Sequence, residues 1–139
     1  MGVKIKQLNI NEIKPSRLPL VIGYFSCVHI MHNQLFTKHN RYNVLTFNDF
    51  TSKLQNQIYS GKERINNIAL SKPINIFVYD IAHNNLLAED FIQQVLLKIK
   101  PTSIIVGTDF KFGKDQKSFS LLKKYFNVET INYNDVVSS

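Results

Sequence analysis

The chain predicts an open, parallel, doubly wound α/β sheet of the Rossmann-like type, with about five strands. Three observations carry this. Short continuous apolar runs such as Leu20-Val21-Ile22 and Ile104-Ile105-Val106 read as strands buried on both faces. Between the later runs lie segments with a helical period, the clearest at Phe91, Ile92, Val95, Leu96 and Ile99. The two types alternate along the chain, which calls for right-handed crossovers on a parallel sheet.

The elements follow in order. Lys4 to Leu8 alternates apolar and polar residues, as a short edge strand would. Leu18 to Tyr24 is the first buried strand, and a short helix is expected to start near Ile30. Asn43 to Phe47 is the next strand, Lys62 to Leu70 an amphipathic helix, and Ile74 to Tyr79 a third strand. Leu87 to Ile99 is a core-facing helix with Glu89 and Asp90 in its first turn, where the helix dipole favours acids, and Pro101 ends it. Ser103 to Gly107 is the fourth buried strand, Ser118 to Phe126 a final helix, and Val128 to Ile131 the fifth strand.

Composition narrows the class. In 139 residues, 44% are hydrophobic and 19% charged, which suits a globular domain with its own core. No apolar run approaches the ~18 residues of a membrane span. A single cysteine, Cys27, excludes an internal disulfide scaffold. The first residues, Met1-Gly2-Val3-Lys4-Ile5-Lys6, lack the apolar core of a signal peptide, and Lys6 breaks a myristoylation pattern. A cytoplasmic protein is expected. The net charge of +7 attracts polyanions. The chain is also rich in Asn, Ile, Lys, Phe and Tyr, the bias of an AT-rich genome. Since no nucleic-acid-binding signature is visible, the charge is assigned to that bias plus a phosphate site.

Parallel sheets of this kind bind ligands at the carboxyl ends of their strands. After the first buried strand the chain reads Gly23-Tyr24-Phe25-Ser26-Cys27-Val28-His29-Ile30-Met31-His32. Two histidines three apart at a helix start can face one spot, where they and the helix amides suit a polyphosphate. The same spacing is compatible with zinc, or with two histidines of no special role.

This stretch resembles the nucleotidyltransferase signature Gly-x-Phe-Asp-x-x-His-x-Gly-His, matched by Gly23, Phe25, His29 and His32. Val106-Gly107-Thr108-Asp109-Phe110-Lys111-Phe112-Gly113 resembles the Val-Gly-x-Asp/Asn-Phe-x-Phe-Gly motif of bacterial FAD synthetases. Leu45-Thr46-Phe47-Asn48 resembles their Leu-Thr-Phe-Asp segment, and Val137-Ser138-Ser139 the opening of their Ile-Ser-Ser-Thr-x-Ile-Arg motif.

The resemblance implies an FMN adenylyltransferase domain, which joins AMP from ATP to FMN with Mg2+ and gives FAD and pyrophosphate. His29 and His32 would be the catalytic pair that binds the triphosphate. Gly23, Phe25, Gly107, Asp109 and Phe110 would bind the nucleotide, and Asn48, Phe112 and Gly113 would form the flavin side and its flap. Without the family, Phe110 and Phe112 read as core or loop-anchoring aromatics and Asp109 as a strand-end turn acid. A single domain over 1–139 is expected, with no riboflavin kinase domain. Several positions depart from the pattern: Ser26 stands for the family Asp, Cys27 for the next Gly, Met31 for the Gly between the histidines, Asn48 for the Asp of the second segment, and Asp49-Phe50 for its Pro-His. The residues therefore fit two readings, an adenylyltransferase of FMN or a nucleotide- or flavin-binding module without catalysis.

Overall fold

The computed structural model describes residues 3–23, 41–48, 72–81 and 83–131. Six parallel strands form one sheet: β1 (Lys4–Gln7), β2 (Leu20–Ile22), β3 (Asn43–Asn48), β4 (Asn75–Asp80), β5 (Ile104–Gly107) and β8 (Val128–Ile131). Their spatial order is β1-β4-β3-β2-β5-β8, every neighbouring pair parallel. A two-stranded antiparallel hairpin, β6 (Lys111–Phe112) and β7 (Lys117–Ser118), stands apart from it.

This is the expected Rossmann-like α/β class; its six strands exceed the stated count of about five because the edge strand read over Lys4 to Leu8 joins the five buried ones. β1 is short and exposed throughout. It enters the sheet by pairing on one side only, Lys4 to Gln7 against Asn75 to Val78. The strand centre is where the sequence put it. Leu20, Val21 and Ile22 are all essentially solvent-free, because β2 has a neighbour on each edge and apolar layers on both faces.

Strand alternation divides the core in two. On one face Leu20, Ile22, Leu45, Phe47, Tyr79, Ile104 and Val106 form a single cluster. On the other lie Val21, Val44, Ile76, Val78 and Ile105. The first face is covered by α1, residues 88–99, which buries Phe91, Ile92, Val95, Leu96 and Ile99 on it. Burying five such side chains is worth roughly 10 kcal/mol. Fixing twelve backbone residues costs at least as much. The helix therefore persists only on the sheet.

Its middle turn, Ile92–Leu96, is π-helical. Lys100 adopts a left-handed conformation (φ 52°), and Pro101 prevents continuation. Helix-end carbonyls are taken by the segment before β2: Ser16 N–H donates to Ile99 O (2.7 Å) and Arg17 N–H to Lys100 O (3.2 Å).

The final helix expected over Ser118 to Phe126 is a 3-10 helix at Phe119–Lys124, in which Leu122 is fully buried while Phe119 and Phe126 only flank the core. Six residues at ~2.0 Å each carry the chain further toward β8 than an α-helix of the same length would. The helices predicted near Ile30 and over Lys62 to Leu70 lie outside the described residues.

Candidate functional site

From β2 the chain steps to β3 and then β4 on one side, and β5 lies on β2's other side. The strand order thus reverses between β2 and β5, where a parallel sheet opens a crevice at its carboxyl edge. Leu20 pairs with Ile104 and Val21 with Ile105. Two residues further, that register puts Gly23 level with Gly107. Gly23 N–H donates to Leu45 O (3.2 Å) and Thr108 N–H to Ile131 O (3.0 Å), so both strand ends are held. Neither glycine carries a Cβ into the crevice, and a ligand's phosphates can approach the backbone there.

Beside this crevice, over the ends of β3 and β4, lies a continuous run of aromatic rings. Tyr79 meets Phe91 edge-on at 5.0 Å, and Phe91 lies 6.0 Å from both Phe47 and Phe112. Phe110 stacks on Phe112 at 5.7 Å with 6° between the planes, and on Phe47 at 6.4 Å. The rings wall a cleft of about 190 Å³, lined also by Asn84, Asn85, Lys114 and Gln116. That is below the ~300–1,000 Å³ of a site that takes a whole drug-sized ligand, so it suits one flat part of a larger molecule.

The Tyr79 hydroxyl donates to Asn84 O at 2.6 Å and so fixes the loop after β4. Burial, helped by the neighbouring Asp80 charge, pushes the Tyr79 phenol up to about 12, so it stays a neutral donor around neutral pH. Asp80 turns back on its own loop, accepting from His83 N–H (3.2 Å) and lying 2.6 Å from His83 Nδ1.

The hairpin turn closes the cleft and is fastened to the start of α1. Leu87, at the helix N-cap, supplies no side-chain cap. The acceptor comes instead from Asp115, whose Oδ1 takes the Ala88 N–H at 2.8 Å. Lys114 N–H donates to Leu86 O (2.8 Å), and Gln116 N–H and Nε2 both donate to Gly113 O (3.1 and 2.8 Å). Asp115→Ala removes the cap and is expected to cost about 1 kcal/mol of stability in denaturant unfolding. An unchanged midpoint would show that the cap is dispensable.

Of the residues singled out in the sequence, the structure brings Gly23 and Gly107 level at the strand-order switch. Asn48 ends β3 opposite Asp80. Asp109 is exposed in the turn after β5. Phe112 lines the cleft, with Phe110 packed behind it. Gly113 sits in the fastened turn. Phe25, His29, His32, Ser26, Met31 and Val137 to Ser139 lie outside the described residues.

Sequence reasoning missed Tyr79, Asn84, Lys114, Asp115 and Gln116. For Tyr79 the signal was present, an aromatic at the carboxyl end of a buried strand. For Asp115 there was none, since its partner lies 27 residues away.

A six-stranded parallel sheet whose strand order reverses between β2 and β5 defines an α/β domain of the Rossmann-like class. A sequence model of the FAD synthetase family matches residues 12–138, and the chain belongs to that family. It is 40% identical over 123 residues to the trifunctional protein RibF/MnmA of Mycoplasmoides gallisepticum, covering 88% of this chain and 18% of that protein. It is 27% identical over 113 residues to the bifunctional riboflavin kinase/FMN adenylyltransferase of Mycoplasma pneumoniae, covering 81% and 42%. The chain thus spans less than half the length of these relatives. A crystal structure of a macrolide-efflux protein from Streptococcus pneumoniae superimposes with a TM-score of 0.77 at 25% identity, over 95% of this chain and 52% of that one. Among the described residues no helix is long and apolar enough to cross a membrane.

Proposed function

We propose that this chain acts as an FMN adenylyltransferase domain in the cytoplasm, transferring AMP from ATP to FMN. The observation that carries the reading is the aromatic cleft over β3 and β4, set beside the Gly23–Gly107 crevice. A flavin ring stacks in the first, and the phosphates pass close to the backbone at the second. A phosphate oxygen of FMN attacks the α-phosphorus of ATP. The bond from the α-phosphorus to the bridging oxygen breaks, and pyrophosphate leaves with the electron pair.

The protein's part is positioning and charge stabilisation. His29 and His32 hold the triphosphate and the charge that builds on the transferring group. Gly23 and Phe25 wall the nucleotide, Gly107 lets it approach the backbone, and Asp109 accepts a hydrogen bond from substrate. Magnesium would accompany the ATP phosphates and offset their negative charge.

ATP, ADP and FMN are each expected to raise the melting temperature and CTP is not. A ligand at a hundred times its Kd stabilises by about 2.7 kcal/mol, a shift of several degrees. No shift with any nucleotide at millimolar concentration overturns the reading.

A further inference from the structure

The cleft's lining is apolar or neutral with one exception, Lys114. Its main chain is fixed, because its N–H is bonded to Leu86 O. Among the described residues no carboxylate is paired with its side chain. The adjacent carboxylate of Asp115 is bonded to the Ala88 N–H. An ammonium group only donates hydrogen bonds, so it selects an acceptor on the ligand.

Two parts of a flavin nucleotide offer acceptors, the carbonyl edge of the ring and the phosphate. The topology separates them. Leu86, which anchors Lys114, follows β4, and β3 lies between β4 and β2. Two strand spacings, about 10 Å, therefore part this end of the cleft from the Gly23–Gly107 crevice. The phosphates belong at the crevice.

The geometry points to Lys114 as a specificity-determining residue that donates to the carbonyl edge of the flavin ring, and not to the FMN phosphate. Gln116 complements it. Its Nε2 is spent on Gly113 O, which leaves Oε1 as an acceptor for a ring N–H. The assignment rests on the flavin reading above, and one experiment separates the two.

Riboflavin and FMN are titrated into the chain and into Lys114→Met, with binding followed by flavin fluorescence. Riboflavin has the same ring and no phosphate. Lys114→Met is expected to weaken both ligands about equally, by roughly tenfold, as the loss of a charge-assisted hydrogen bond implies. Lys114→Arg should recover most of the loss. The melting temperature should hold in both variants, since the turn is fastened through the Lys114 main chain. Binding by Lys114→Met within twofold of the unchanged chain overturns the assignment, and so does a loss confined to FMN, which would put the lysine on the phosphate. If the unchanged chain binds neither flavin, the flavin reading falls, and this inference with it.

Discussion

Gly113→Ala is expected to lower the melting temperature by roughly 10 °C and to abolish flavin binding in the cleft. Gly113 has φ +81°, a conformation that costs an L-residue about 1–2 kcal/mol. Space is the larger obstacle. A Cβ there would lie 2.4 Å from the Ala88 backbone nitrogen, 2.5 Å from its Cα and 2.7 Å from its Cβ.

Two of those atoms belong to the main chain of the first turn of α1, so no side chain can swing aside. Either the helix start shifts or the hairpin turn lifts away. In both cases the Asp115–Ala88 and Lys114–Leu86 hydrogen bonds are lost. A total near 3 kcal/mol, at ~4 °C per kcal/mol for a chain of this size, gives the stated shift. Phe112 and Lys114 are moved with the turn, and the cleft loses one wall. Thermal unfolding and riboflavin titration of the variant check both parts. A variant that melts within 2 °C of the parent would show that the turn is not seated on the helix as described.

The same turn shows where the sequence was legible and where it was not. Leu20 to Ile22 and Ile104 to Val106 announce buried parallel strands because a strand covered on both faces is filled mainly by apolar residues. The spacing of Phe91, Ile92, Val95, Leu96 and Ile99 shows a single buried helix face. Strand order follows less directly, yet the alternation of types fixed the parallel class, and with it the carboxyl edge as the place for ligands. The pair Gly23 and Gly107 could be picked out as motif glycines. That they stand level emerges only from the β2–β5 register.

Contacts that join distant segments leave no local mark. Asp115 looks like an ordinary turn acid and is the cap of a helix 27 residues earlier. Lys114 looks like one of many surface lysines and lines the cleft. The pitch of the 3-10 helix at Phe119–Lys124 was hidden in the sequence, where the spacing of apolar residues marks a helix without setting its type.

The double substitution Ser26→Asp, Met31→Gly is expected to raise FAD formation from FMN, ATP and magnesium about a hundredfold. The unchanged chain should turn over slowly. A carboxylate at position 26 would balance the metal that accompanies the triphosphate, and a serine hydroxyl offers no charge for this. At position 31, between His29 and His32, the family pattern has glycine, which lets a nucleotide approach the backbone; methionine adds a Cβ and a long side chain.

A displacement of reacting groups by about 1 Å can cost on the order of a hundredfold in rate. Both changes bear on one site, so their effects need not multiply, and each single variant belongs in the experiment. The readout is chromatographic FAD yield against time, with ATP and FMN binding measured on the same preparations. Fast turnover by the unchanged chain would show that Ser26 and Met31 are compatible with catalysis. A repaired chain that binds both ligands and still makes no FAD would favour the other reading, a module that holds nucleotide and flavin without joining them.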